Sequence, residues 1–211
     1  GSSEARRYSP RETGSTTLTA PSGQNFGSGT QSGSGSYGSW TLDAASGLFT
    51  YTLSSAPNIS GSSTTDSVNV ITYDAFGNVT TNTVVVAITD DVPAAVGDSG
   101  SVISGATTSG NVQGNDVFGA DGPKKDGSNA NVAVVGVASG SDTSSPVSGQ
   151  VGTQISGSYG ELTLNADGSY AYVANTGVTG SPTDSFVYTI SDSDGDLSTV
   201  TLVFAVTPAG V

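Results

Sequence analysis

Three aspartates occupy alternate positions in the segment SDSDGDLS at 191–198, namely Asp192, Asp194 and Asp196. Carboxylates with this spacing in a turn can converge on a hard cation such as Ca²⁺, which takes about six to eight oxygen ligands. The segment is not an EF-hand loop, because Leu197 stands where that loop requires a glycine. Two interpretations stay open: a β-hairpin loop that binds calcium, or a solvated turn in which Asp and Gly are favoured without any ion.

Two further groups of oxygen-bearing side chains are candidate calcium sites, one made of Asp90, Asp91 and Asp98 and the other of Asn115, Asp116 and Asp121. The first group flanks the proline-containing segment DDVPAAVGDSG at 90–100, which predicts a junction between domains. Three carboxylates brought together there would repel one another, and a bound cation would reverse the sign of that interaction. The alternatives are an ordinary acidic linker for the first group and an Asx-rich loop for the second.

Catalytic chemistry finds little support in the residue types. The chain has no histidine and no cysteine, so neither a Ser-His-Asp triad nor a Cys-His pair can be assembled. The Gly-rich segment GSGTQSGSG at 27–35 lacks the strand-to-helix context of a dinucleotide site, and no P-loop motif occurs. Two carboxylates can run a glycosidase, but the acidic residues here are predicted in turns and junctions. We therefore predict that the protein is not an enzyme.

The acidic charge excludes several classes of partner. The net charge is −13, and the five basic residues include three arginines in the opening stretch. Such a surface repels nucleic acids and anionic membranes, whereas divalent cations are its natural counterions. No apolar run approaches the roughly 20 residues of a membrane helix, so we expect no membrane insertion. Residues 1–15 are predicted to be a disordered tail or a remnant of cloning, outside the fold.

The elements that position the acidic residues follow from an internal repeat. Residues 65–89 and 183–207 align without a gap, and ten of the 25 positions are identical. Each copy ends in a predicted hairpin, because apolar and polar residues alternate with the period of a strand. In the second copy the inward positions are Leu202, Phe204 and Val206, and the aspartates lie in the preceding turn. Another predicted hairpin precedes each of these, and in the second copy it turns at NADG, 165–168.

Short strands, frequent turns and two units of about 80–110 residues predict an all-β fold with two tandem antiparallel Ig-like β-sandwich domains. The first domain is predicted at 16–91, a junction at 92–97 and the second domain at 98–211. Trp40 and the tyrosines follow the strand period, which favours packing in the core over a platform for sugars. Asp66 and Asp184, which both precede a strand in the tripeptide TDS, are predicted to bond nearby backbone N–H groups.

The second copy resembles a known family. YGELTLNADGSYAYV at 159–173 and TDSFVYTISDSDGDLSTVTLVFAV at 183–206 are similar to the VCBS-type, cadherin-like repeats of large RTX adhesins exported by type I secretion. DDVPAAVGDSGSV at 90–102 resembles the junction between such repeats, and the whole resemblance covers 96–207. It implies extracellular Ig-like modules that bind Ca²⁺, often at junctions, and extend an adhesin away from the bacterial surface.

The residues and the resemblance together predict a calcium-binding spacer of a secreted or cell-surface bacterial adhesin. Its partners would be neighbouring repeats of the same chain, and we expect a monomer. The alternative is a ligand-binding module of the same adhesin, with a glycan or a protein held by the loops. The insert at 122–157 is the predicted place for such a ligand, although it contains no aromatic residue. The first copy retains only Asp74 and Asn78 in its loop, so we expect weaker calcium binding there.

Overall fold

A computed structural model describes residues 6–7, 13–54, 63–119 and 122–210. These residues form β-strands and one short 3-10 helix, Val112–Gly114. The chain divides into two compact units, residues 1–91 and residues 92–211. In the described part of the chain, no helix is long and apolar enough to cross a membrane. The predicted all-β fold class is confirmed.

The first unit contains two four-stranded sheets. Its strands are β1 (Arg6–Arg7), β2 (Thr13–Thr17), β3 (Gln24–Asn25), β4 (Thr30–Ser34), β5 (Gly38–Asp43), β6 (Leu48–Leu53), β7 (Ser63–Asp74) and β8 (Val79–Thr89). One sheet has the order β1-β8-β7-β3 and the other has the order β2-β6-β5-β4. All neighbours pair antiparallel except β1 and β8, which are parallel.

The second unit repeats this topology strand for strand. Its strands are β9 (Asp98–Ile103), β10 (Thr107–Asn111), β11 (Val134–Ser139), β12 (Gln154–Ser156), β13 (Gly160–Leu164), β14 (Ser169–Ala174), β15 (Thr183–Ser191) and β16 (Leu197–Thr207). The sheets have the orders β9-β16-β15-β11 and β10-β14-β13-β12. The pair β9 and β16 is parallel, as β1 and β8 are in the first unit. The internal repeat of the sequence is therefore a repeat of the whole eight-stranded unit.

Alternation along the strands builds a separate core in each unit. In β16 the side chains of Leu202, Phe204 and Val206 are fully buried, as the period of two predicts. Phe204 stacks on Tyr172 of the facing sheet, with ring centroids 4.1 Å apart. In the first unit Trp40 is likewise buried and stacks on Phe49 at 5.8 Å. The prediction that these aromatic residues pack in the core is confirmed.

Part of the predicted N-terminal tail belongs to the sheets. Arg6–Arg7 pairs with the end of β8, and Thr13–Thr17 pairs with β6. The structure thus differs from the predicted tail over 1–15 wherever that stretch is described. Strand β2 reads TGSTT and has no apolar residue, so hydrophobic alternation cannot reveal it. The segment 92–97, predicted as a junction, belongs to the second unit, where Ala94 pairs with Val117.

A buried aspartate ties a turn to a tyrosine in the second unit. Asp184 is 3% exposed and accepts hydrogen bonds from the backbone N–H of Ser158 (2.9 Å) and of Tyr159 (2.9 Å). The hydroxyl of Tyr172 donates a third bond, at 2.8 Å. These partners lie far along the chain, whereas nearby backbone groups were predicted. The aspartate therefore fixes the position of the β12–β13 turn against the opposite sheet.

The first unit contains the same arrangement. Asp66 accepts hydrogen bonds from the Tyr51 hydroxyl (2.5 Å) and from the backbone N–H of Tyr37 (3.1 Å). A Cβ atom on Gly35 would lie 2.1 Å from the Asp66 carboxylate, and one on Gly157 would lie 2.3 Å from the Asp184 carboxylate. This close approach gives a physical reason for the glycine that begins GSYG in both copies.

Candidate metal centre

The loop between β15 and β16 folds around the side chain of Asp192. Its Oδ1 accepts hydrogen bonds from the backbone N–H of Gly195 (3.0 Å) and of Asp196 (2.8 Å). The N–H of Asp192 donates to the carbonyl oxygen of Asp196 at 3.2 Å. Gly195 has a φ of 110°, which residues with a side chain rarely adopt. The glycine among the aspartates therefore permits a sharp turn that leaves Asp192 fully buried.

The second carboxylate oxygen of Asp192, Oδ2, is buried and has no hydrogen-bond partner. Asp194 and Asp196 each offer a carboxylate oxygen, and these two atoms lie within 4.8 Å of each other. Burial raises the pKa of the Asp192 carboxyl above its usual range, and repulsion from Asp196 acts in the same direction. Buried charges in proteins are normally paired or bound to metals. The loop thus presents carboxylate oxygens that a hard cation would satisfy.

The chain before β11 lies beside this loop. The N–H of Ser193 donates to the carbonyl oxygen of Gly122 at 3.1 Å, and its hydroxyl donates to that of Pro123 at 3.2 Å. The N–H of Lys124 donates to the carbonyl oxygen of Ser191 at 3.1 Å. These bonds fix the aspartate loop from its far side. Asp121, a predicted ligand that directly precedes Gly122, lies outside the described residues.

A second acidic group surrounds the hydroxyl of Tyr188. This hydroxyl donates a hydrogen bond to Asp98 Oδ2 at 2.8 Å, and the N–H of Val96 donates to Asp116 Oδ1 at 2.8 Å. Asp116 Oδ2 is buried without a hydrogen-bond partner. Burial raises the pKa of Asp116 to about 6, and the charge of Asp98 adds to this effect. Burial also raises the pKa of Asp98, which a hydrogen bond from Asn115 partly opposes.

The structure therefore regroups two of the predicted sites. Asp98, predicted to act with Asp90 and Asp91, lies with Asn115 and Asp116 inside the second unit. Asp90 and Asp91 end the first unit after β8, with Asp90 buried and Asp91 half-buried. Their part in a calcium site stays a prediction.

Sequence reasoning did not identify Tyr188 as part of an acidic site. It lies in β15 among inward-facing apolar residues, and the first copy has Val70 at the corresponding position. The replacement of an apolar residue, Val70, by a tyrosine at the corresponding position is the feature of the sequence that indicates a polar role for Tyr188. A hydroxyl on an otherwise apolar stripe needs a polar partner when it is buried, and Asp98 is that partner.

The corresponding loop of the first unit closes on itself. Asp74 Oδ1 accepts hydrogen bonds from the N–H of Phe76 (2.8 Å) and of Asn78 (2.8 Å). Asp74 Oδ2 accepts from the side-chain amide of Asn78, also at 2.8 Å. The hydrogen bonds from Asn78 lower the pKa of Asp74. Both oxygens of this carboxylate are satisfied by the loop, unlike those of Asp192.

One family model matches the chain. Residues 90–205, more than half of the sequence, match a model described as a bacterial Ig domain. This match covers the second unit and agrees with its two packed sheets. Among curated proteins, none matches the sequence.

Solved structures resemble the chain only loosely. The endo-fucoidan hydrolase MfFcnA4 from glycoside hydrolase family 107 is 12% identical with a TM-score of 0.31, over 99% of this chain and 28% of that chain. Protocadherin gamma C5 EC1-3 is 16% identical with a TM-score of 0.31, over 84% and 54%. SporoSAG from Toxoplasma gondii is 12% identical with a TM-score of 0.26, over 97% and 96%. The chain spans less than a third of the hydrolase, and TM-scores this low carry no argument about function.

Proposed function

Because the chain belongs to the bacterial Ig domain family, we propose that it is a calcium-binding spacer of an extracellular bacterial adhesin. In this proposal its partners are neighbouring repeats of the same polypeptide, and it carries no catalytic group. Two units in tandem whose described strands share one topology support the role of spacer, since repeat modules of this kind add length with each copy.

The buried Oδ2 of Asp192 is the observation that carries the calcium proposal. Leaving an ionised oxygen in the interior without a partner is unfavourable, and a bound cation removes that cost. Asp194 and Asp196 of the same loop each offer a carboxylate oxygen, the kind of ligand that Ca²⁺ prefers. We assign Asp192, Asp194 and Asp196 to one site. Asp98, Asn115 and Asp116 form a second candidate, because Asp116 Oδ2 has the same unsatisfied state.

Calcium would act on this chain by holding the turn in place. Asp192 already orients the backbone of Gly195 and Asp196 through its other oxygen, Oδ1. A cation on Oδ2 would offset the repulsion between Asp192 and Asp196, which opposes closure of the loop. The expected result is a more rigid β15–β16 hairpin.

Calorimetry tests the site through Asp192→Asn. The asparagine keeps an oxygen for the backbone N–H groups of Gly195 and Asp196, so the turn is retained while the charge is lost. Extracellular calcium modules have dissociation constants of about 10⁻⁴–10⁻³ M. Titration of the whole chain with CaCl₂ should show binding in this range, and the variant should lose one binding event or weaken it at least tenfold.

The matched control is Asp74→Asn, at the corresponding position of the first unit. Asp74 has both oxygens bonded within its own loop, so this change should leave calcium binding unaltered. Equal losses from the two variants, or no calcium binding by the unmodified chain at millimolar concentrations, would contradict the assignment.

The stability of the second unit should depend on pH in opposite ways with and without calcium. The pKa of Asp116 is about 6 in the folded chain, against a reference value of 3.8 for the unfolded chain. As the pH falls, Asp116 therefore binds a proton in the folded state before it does so in the unfolded state. Without calcium, lowering the pH from 7.5 to about 5 should therefore stabilise the second unit. This contribution is complete below the reference value and is lost as the pH rises through 6.

Calcium competes with those protons. The increase in Tm that calcium produces should be largest at pH 7.5 and should shrink toward pH 5 as Asp116 is protonated, and the raised pKa values of Asp98 and Asp192 act in the same direction. Melting curves followed by circular dichroism, in calcium and in chelator at each pH, measure both trends. A calcium effect of the same size at pH 5 and pH 7.5 would show that these carboxylates do not bind the ion.

A further inference from the structure

Strand β7 has a long edge that is paired over only a small part. Strand β8 pairs with β7 along its whole length, from Ser63 to Tyr73. On the other side, β3 pairs only with Tyr73 and Asp74, through two residues. Thr65, Ser67 and Asn69 have exposed side chains on the solvent face of the sheet. Within the described residues, the edge is therefore open from Thr65 to Asn69.

The direction of the backbone groups shows which residues face the open side. The N–H of Asp74 donates to the carbonyl oxygen of Asn78 on the β8 side, so the even-numbered residues of β7 bond toward β8. The N–H and C=O groups of the odd-numbered residues point away from β8, because the backbone groups of successive residues in an antiparallel strand bond to alternate sides. Ile71 shows the rule, since its N–H and C=O both face away from β8 and bond the Gln31 side chain.

The side-chain amide of Gln31 makes the two hydrogen bonds to Ile71 that a neighbouring strand would otherwise make. Its Oε1 accepts from the N–H of Ile71 at 2.9 Å, and its Nε2 donates to the carbonyl oxygen of Ile71 at 2.7 Å. Nε2 also donates to the carbonyl oxygen of Phe26 at 3.0 Å. This amide satisfies Ile71 alone. Among the described residues, the N–H of Ser67 contacts only the carboxylate of its neighbour Asp66, and no strand or side-chain amide bonds the outward groups of Asn69.

The second unit shows what fills this edge. Its strand β15 corresponds to β7, so Ser185 stands for Ser67 and Val187 for Asn69. There β11 pairs antiparallel along the edge, from Phe186 with Ser139 to Ile190 with Val134, and this pairing overlaps the open stretch of β7 at the positions of Val68 and Asn69. The N–H of Gly140 extends the ladder by donating to the carbonyl oxygen of Ser185 at 2.9 Å. The same edge of the same fold thus receives a strand of small residues, VVGVAS.

Most of the features that usually block strand addition are missing from this part of β7. Edge strands are commonly protected by lysine, proline, a bulge or an inward charge at the rim. From Thr65 to Asn69 the outward residues are Thr, Ser and Asn, which are small and uncharged, and the pairing with β8 is regular. Asp66 is an inward-pointing charge in this stretch, but the equivalent Asp184 lies in β15, whose edge is nevertheless paired by β11.

We propose that the open edge of β7 binds an extended segment of another protein, which adds as an antiparallel strand beside Thr65–Asn69. The segment is uncharged or basic, because the net charge of −13 repels an acidic one. It is rich in small and β-branched residues, as β11 is. Main-chain hydrogen bonds supply the affinity in this mode of recognition. The proposal is independent of calcium, since none of these residues belongs to the candidate metal centre.

The first test uses a peptide that copies the natural occupant of the corresponding edge. A synthetic peptide with the sequence of residues 132–141, VAVVGVASGS, is given a fluorophore and titrated with the whole chain. Fluorescence anisotropy should rise to saturation. The same peptide with proline at its seventh and ninth positions, which are Ala138 and Gly140 in the chain, loses the two N–H donors that face the equivalents of Asn69 and Ser67, and it should bind at least tenfold more weakly.

Ser67→Pro tests the site on the protein. The N–H of Ser67 points away from β8, so proline removes a donor at the edge while the β7–β8 ladder is kept. This variant should bind the peptide at least tenfold more weakly, with the fluorescence melting curve of Trp40 showing that the first unit is folded. The control is Ser141→Pro, which places a proline in an exposed loop of the second unit and should leave peptide binding unchanged.

Amide hydrogen exchange keeps the proposal testable if Ser67→Pro unfolds the first unit. In the unmodified chain, saturating peptide should slow exchange at Ser67 and Asn69 at least tenfold and leave Val68 and Val70 unchanged. No saturable binding, or slowing elsewhere without slowing at Ser67 and Asn69, overturns the proposal. A dimer of this chain that is lost in Ser67→Pro would also overturn it, because the occupant would then be a second copy.

Discussion

Replacing Asp184 with alanine should destabilise the second unit by about 3 kcal/mol or more. The carboxylate of Asp184 accepts bonds from two backbone N–H groups and from the hydroxyl of Tyr172. Alanine leaves these three donors without an acceptor, and a buried donor without a partner costs about 1–3 kcal/mol. The loss of the carboxylate also frees the β12–β13 turn, which Asp184 holds against the opposite sheet.

The single tryptophan makes this effect easy to localise. Trp40 lies in the core of the first unit, so its fluorescence follows that unit alone, while far-ultraviolet circular dichroism follows both. In urea, Asp184→Ala should move one dichroism transition to lower concentration and leave the fluorescence transition in place. Asp167→Ala is the control, because the exposed side chain of Asp167 accepts hydrogen bonds from Ser169, within its own turn. Equal destabilisation by both variants would show that the buried bonds are not the cause.

Phe204→Ala should be comparably damaging, at about 3–5 kcal/mol. The ring of Phe204 is fully buried and contacts three aromatic rings, those of Tyr170, Tyr172 and Phe186. Truncation leaves a cavity at the centre of the second core and removes the stack on Tyr172. Urea denaturation followed by circular dichroism gives the change in unfolding free energy.

Val203→Ala provides the matched control for Phe204→Ala. Val203 is the preceding residue of β16, and its side chain lies on the opposite face of the sheet, half-buried. Its truncation should cost less than about 1 kcal/mol. Similar losses from the two neighbours would mean that the alternation of β16 does not determine its contribution to the core.

The strands that carry apolar side chains could be predicted from the sequence. The hairpins β5–β6, β7–β8 and β13–β14 and the strand β16 follow the period of two, because one face of each is buried. Strand β15 is instead a nearly continuous apolar run, because Phe186–Ser191 is buried on both faces. Strands such as β4 and β2 could not be predicted in this way. Their sequences, TQSGS and TGSTT, contain no apolar residue, and backbone bonds to a neighbour hold them. Such pairing depends on residues distant in the sequence.

The candidate metal centre was predictable to the extent that it is local. Asp192, Asp194 and Asp196 lie in one turn, so their spacing alone indicates that they meet. Asp98 and Asp116 come together only because β9 and the chain after β10 are both placed near Tyr188 by the fold. Neighbouring charges in the sequence suggested a different partner for Asp98. Tertiary contacts, not spacing, determine that group.

The parallel pairing of β9 with β16 determines how the second unit would respond to force. The two strands are the first and last of the unit, and six residue pairs join them. Since they run in the same direction, the chain enters at one end of the unit and leaves at the other. Tension along the chain therefore loads these bonds together in shear instead of opening them one by one. In the first unit the described pairing of Arg6–Arg7 with the end of β8 is also parallel, so tension would load those bonds in shear as well.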